Sequence, residues 1–220
     1  MLMASNVTDR TKPKPATASG KPNRISVSSK SAERRRHLAR AAYQALAEKG
    51  FEGLRMREIA RRAGINHATL HYYFAGKEQL IDSVVDHIVQ DLSIGRNPRV
   101  EDAALEPRQR LKAHFNALVQ QMRDSPEMFT VLAEIHARSM RDRPIRSIFV
   151  KNDRNWTKFL TGILQAGVQK KEFDANLVPE VAAEAIISLV RGLTVTCAGR
   201  AELMQRPLDQ LLTWIEGRAS

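Results

Sequence analysis

The sequence predicts an all-α protein, and three observations carry that expectation. From about residue 31 onward apolar residues recur every three or four positions, and no stretch alternates apolar and polar residues as a half-buried strand would. Glycine and proline punctuate these periods at helix stops and first turns, as at Gly50, Gly64, Pro126 and Pro179. The segment Arg57 to Lys77, REIARRAGINHATLHYYFAGK, packs two short helical periods around a sharp turn. The architecture expected is a three-helix head containing a helix-turn-helix, followed by a larger helical body.

Residues 1–30 mix Lys, Pro, Ser, Thr and Ala with almost nothing to bury, so a disordered basic tail is expected. It reads equally well as an arm along a polyanion or as a leader without a role. The first helix is expected near Ser31, where Ser31 to Arg34 resembles a capping box. It carries Leu38, Ala41, Ala42, Ala45 and Leu46 at helical spacing, has Arg34–Arg36 near one end, and stops at Gly50. Phe51 and Leu54 fill the head's small core. In the second helix Ile59, Ala60 and Ala63 lie on one face, and Gly64 supplies a left-handed stop. Asn66 is placed to cap a third helix, His67 to Phe74, in which Leu70 and Phe74 turn inward. That leaves His67, Ala68, Thr69, His71 and Tyr72 outside. A short helix exposing imidazoles, a hydroxyl and a phenol, with no acid among them, suits a DNA groove.

A linking helix follows from Lys77 to about Leu92, with Leu80, Ile81, Val84, Val85, Ile88 and Val89 on its buried side. Ser93 to Pro107 reads as a loop. Four body helices are expected over about 108–123, 125–140, 145–170 and 178–198, and a last one over about 208–215. The fourth is apolar almost all round, so it must be covered on nearly every side. Its small residues Ala182, Ala183, Ser188 and Gly192 would admit a close neighbour, and Leu189 and Leu193 are expected on a dimer face.

Ile59-Ala60, Ala63-Gly64-Ile65, Thr69-Leu70, Tyr73-Phe74 and Lys77-Glu78 with Leu80 resemble the signature of the TetR/AcrR family of bacterial transcriptional regulators. The likeness runs over roughly residues 33–81, from the helix through Ala41 and Leu46 to the linking helix. Arg55 departs from it, standing where the family usually caps the second helix with Thr or Ser. His71 stands where Tyr is commonest. The resemblance implies DNA contacts from Arg55, Arg57, Asn66, His67, Ala68, Thr69, His71, Tyr72, Tyr73 and Lys77. Arg57, His67, Ala68, Thr69 and His71 are the base readers it implies; Tyr72, Tyr73, Lys77 and Arg34–Arg36 would meet phosphates. It also implies a homodimer built by the last two helices as a four-helix bundle, and a repressor relieved by a small-molecule effector. The division expected is tail 1–30, DNA-binding head 31–77, and regulatory and dimerisation body 78–220.

Composition agrees with a polyanion partner. Residues 1–77 hold 16 Lys and Arg against 5 Asp and Glu, whereas residues 78–220 hold 19 against 19, so the whole formal charge of +11 lies on tail and head. No apolar run approaches the ~18 residues of a membrane span. The N-terminus lacks the apolar region of a secretory signal, and Cys197 is the single cysteine, which together point to the cytoplasm.

Other chemistry finds little support. His67 and His71 have the i, i+4 spacing of a metal pair, but no third ligand lies near in sequence, so no metal or cofactor is expected. No phosphate loop, nucleophile elbow or H-E-x-x-H occurs, so no enzyme is expected. A ligand cavity is expected among His114, Phe115, Met122, Phe129, Leu132, His136, Trp156 and Phe159, which would serve equally as plain core. A structural DNA-binding protein of the same fold, acting through a protein partner, is the alternative function.

Overall fold

The structure, a computed structural model, describes residues 24–91, 105–197 and 199–217, the first six of them by backbone only. Among these residues every regular element is a helix: α1 Arg24–Gly53, α2 Met56–Arg62, α3 His67–Tyr73, α4 Lys77–Asp91, α5 Pro107–Asp124, α6 Pro126–Ser139, α7 Arg143–Gln169, α8 Pro179–Thr196 and α9 Glu202–Glu216. The all-α expectation therefore holds. The tail over residues 1–23 and most of the loop after α4 lie outside the described residues.

Two helix starts differ from the sequence reading. The first helix begins at Arg24, seven residues before Ser31. Once a helix is nucleated each further residue adds a hydrogen bond at little cost, so a local capping pattern need not be its end. The last helix begins at Glu202 rather than after Pro207, with the proline inside its second turn. Met204 and Leu208, both fully buried, hold this stretch onto the body and offset the lost backbone bond.

Helices α1, α2 and α3 pack around Leu38, Ala42, Leu46, Leu54, Ile59, Leu70 and Phe74, all sealed from solvent. This cluster continues without interruption through Leu80, Ile81, Val84 and Ile88 of α4 into the body. Helix α4 packs on α1 and on α7, while α1 also lies against α6, so α6 braces the head directly and α7 braces it through the linking helix. Helix α7 packs chiefly on α8, and α5 touches α6, α7 and α9.

The brace has a specific joint. Gly50 interrupts α1 at φ 60°, ψ −156°, a conformation only glycine adopts without strain. The break orphans the Phe51 N–H, which donates to Glu134 Oε1 of α6 at 2.8 Å. A Cβ at residue 50 would stand 2.6 Å from that oxygen. Lys77 and Arg138 flank the Phe51 ring at 5.0 and 5.9 Å from its centroid, a pair of cation–π contacts sealing the same joint.

Helix α8 corrects a further expectation. Leu193 is buried and Leu189 half-buried, so neither belongs to a free face. The exposed stripe is Val181, Ala185, Ser188, Gly192 and Val195, at i, i+4, i+7, i+11 and i+14. Among the described residues α8 is thus covered on one side only. Leu203 and Trp214 of α9 are also exposed, Trp214 by 68%.

Candidate nucleic-acid interface and body cavity

The turn between α2 and α3 forms as its residue types require. Gly64 takes φ 64°, and Ile65 N–H reaches back to the Ala60 carbonyl at 3.0 Å, closing the end of α2. Asn66 Oδ1 accepts from Thr69 N–H at 2.6 Å, capping α3. Arg55 provides no such cap to α2. Glu58 in the first turn meets the helix dipole instead, and Arg61 and Arg62 hydrogen bonds hold its carboxyl near 2.

Leu70 and Phe74 anchor α3 inward, so His67, Ala68, His71 and Tyr72 are left exposed along its outer side and Thr69 is half-exposed. The His67 and His71 Nε2 atoms lie 3.2 Å apart, and the Tyr72 and Tyr73 rings meet edge to face. Asn66 is exposed, but its carboxamide oxygen is committed to the cap. Tyr73 is half-buried, and Lys77 at the start of α4 points along the Phe51 ring. Burial and, next, Arg138 lower the Lys77 pKa.

The head's cations divide into two sets. Arg55 pairs with Glu52, Arg61 with Glu58, and Arg62 with both Glu58 and Glu48. Arg57 is exposed at the start of α2 and has no ion pair among the described residues. Its guanidinium fork is therefore open to an external acceptor. In α1, Arg35 lies over the Phe74 ring at 4.8 Å, and Arg36 is exposed.

The body contains a largely apolar cavity of about 100 Å³ between α4, α5, α6, α7 and α8. Phe129, Leu132, His136 and Trp156 line it; His114, Phe115, Met122 and Phe159 do not. His114 packs behind the wall, where its Nε2 accepts the Trp156 indole N–H at 3.1 Å. Complete burial pushes the His114 pKa down to about 4, so the ring stays neutral and fixes the tryptophan. Val85 and Val89 of α4 close one side of the cavity, and Asp153 and Arg191, an ion pair, bring charge to its edge. Burial and then Arg191 lower the His136 pKa.

Sequence reading missed Phe149, Asn152, Asp153 and Arg191. A signal was present: Phe149, Asn152, Asp153 and Trp156 share one face of α7, and polar groups on an otherwise apolar face are typical of a binding wall. No helix among the described residues is long and apolar enough to cross a membrane.

Comparison with known proteins converges on one group. Residues 38–84 match the model for bacterial regulatory proteins of the tetR family, and residues 107–213 match that for the C-terminal part of BetI-type transcriptional repressors. The HTH-type transcriptional repressor KstR2 of Mycolicibacterium smegmatis is 26% identical over 76% of this chain and 78% of its own. The HTH-type transcriptional repressor DhaR of a Mycobacterium species is 23% identical over 81% and 88%. A TetR transcription regulator from Haloarcula marismortui superposes with a TM-score of 0.72, at 18% identity, over 84% of this chain and 98% of that one.

Proposed function

Because the chain belongs to the TetR family of bacterial transcriptional regulators, we propose that it is a cytoplasmic homodimeric repressor, released from its operator by a small molecule held in the body cavity. Residues 31–77 serve as the reading head and residues 78–220 as the effector and dimerisation body. Two heads dock in successive major grooves, which requires them ~34–36 Å apart. Arg57, His67, Ala68, Thr69 and His71 meet bases, while Tyr72, Tyr73, the Lys77 amide end and Arg36 meet phosphates. The symmetric partner covers the stripe Val181–Val195 of α8 and the exposed residues of α9.

The observation carrying this reading is that α4 is at once a cavity wall, through Val85 and Val89, and the helix that leads out of the head. A molecule that fits only when α4 shifts binds one head spacing better than another, and the two equilibria are then coupled reciprocally. The test begins with operator selection from genomic fragments, followed by anisotropy titration of the selected site at fixed salt. A repressor gives few sites near promoters, tight binding by dimers only, and release by cell extract fractions of low molecular mass. Many dispersed sites that no small molecule releases would favour a structural DNA-binding role and refute this reading.

A further inference from the structure

Among the described residues the cavity wall contains a single acidic residue, Asp153, and a single guanidinium, that of Arg191, and the two are paired. Their surroundings are unequal. Asp153 also borders a second surface depression whose lining includes Arg154 and Lys158 beside one acid, Glu184, so it has two basic residues near it outside the cavity wall. Among the described residues Arg191 has no second acid in the cavity wall. An entering anion can therefore take the guanidinium while Asp153 turns to the outer cations, and every charge stays compensated. An entering cation would take Asp153 and leave Arg191, whose side chain is about a third exposed, with water as its only replacement at the wall.

We propose that the cavity takes a small monocarboxylate with an apolar body, whose carboxylate replaces Asp153 on Arg191. The inference rests on the reading of this cavity as an effector site. A guanidinium presents two parallel donors that match a carboxylate, whereas a neutral amide uses them less well. The body of the ligand lies against Phe149, Trp156 and Val85. A cavity of about 100 Å³ is somewhat smaller than the ~150 Å³ that holds a benzene, which points to a short alkyl chain or one small ring.

Calorimetric titration of the full-length protein at neutral pH tests this with three probes of one length: hexanoate, hexanamide and hexylamine. Hexanoate binds tightest, on the order of tenfold over the amide and the amine, and Arg191→Gln erases that preference without weakening hexanamide. Asp153→Asn tightens hexanoate severalfold because its competitor is gone, and this variant carries the test if Arg191→Gln fails to fold. Equal or tighter binding of amine or amide by the parent overturns the carboxylate assignment, as does Asp153→Asn leaving hexanoate unchanged or weaker. Failure of all three probes to bind overturns it too. Ala133→Leu, which adds bulk to the cavity wall, separates the two levels of inference. If it expels whichever probe binds, the cavity reading stands whatever the headgroup; if hexanoate still binds it equally well, the ligand sits elsewhere and both fall.

Discussion

Replacing Glu134 by alanine removes the acceptor that the body offers to the broken end of α1. The bond spans 83 residues of sequence at 2.8 Å and is charge-assisted, a class worth ~1.5–3 kcal/mol when protected from water. Its half-buried position allows some screening, so a loss of about 1–2 kcal/mol is expected. For a chain of this size that corresponds to a fall in Tm of roughly 2–8 °C. Glu134→Gln keeps an oxygen acceptor and loses only the charge, so about half that loss is expected. Urea unfolding at one fixed protein concentration measures both, the concentration being held because dimerisation adds to apparent stability. Anisotropy with the selected operator then reports whether the head, freed from α6, still reads DNA. An alanine variant within ~0.5 kcal/mol of the parent would refute the reasoning, since that is the scatter of ordinary surface substitutions. A glutamine variant as damaged as alanine would instead assign the effect to the Lys77 and Arg138 charges around Phe51.

Other consequences can be measured directly. Gly50→Ala forces a Cβ into the left-handed region and onto the Glu134 carboxylate, so it should cost about 1–3 kcal/mol in the same unfolding assay. His114 titrates near 4 when folded and near its ordinary 6.5 when unfolded, so its contribution is complete above pH 6.5 and is lost as pH falls toward 4, by ~3 kcal/mol in all. His114→Gln, which keeps an acceptor for Trp156, should show a shallower loss over that window, and parallel curves would discount the histidine. Arg57→Ala should lose preference at one base position per half-site, worth ~1–3 kcal/mol, in a base-substituted operator series at fixed salt; uniform loss at every sequence would assign Arg57 to phosphate. Ser188→Glu, in the middle of the exposed α8 stripe, should give folded monomers with poor operator affinity by light scattering and anisotropy. A dimer of unchanged stability would place the symmetric contact elsewhere.

The parts legible in the sequence are those set by neighbours in the chain. Gly64, the Asn66 cap and the inward Leu70 and Phe74 specify the helix-turn-helix within a dozen residues, because turn chemistry and helical period act locally. The Glu134 to Phe51 joint joins residues 83 apart, and neither side chain is unusual where it stands. The same holds for Asp153 and Arg191, which are 38 apart and read in sequence as ordinary surface charges. Helix α8 shows a subtler limit. Its composition announces two-sided burial, but an apolar period cannot say which side faces the chain itself, so Leu189 and Leu193 were expected outward when the smaller Ser188 and Gly192 are. Pro207 misleads for the opposite reason: a local breaker is outweighed by the burial of Met204 and Leu208 on either side.

The chain's two tryptophans fall at places with different neighbours. Trp156 is half-buried in the cavity wall with its indole N–H tied to His114, and Trp214 stands 68% exposed on α9. Their emission therefore separates without any label: the cavity residue glows toward the blue and resists an aqueous quencher, while the outer one glows toward the red and is quenched readily. A guest against Trp156 changes only the first band. A second subunit laid over α9 moves only the second, so Trp156→Phe and Trp214→Phe turn one molecule into two independent optical gauges.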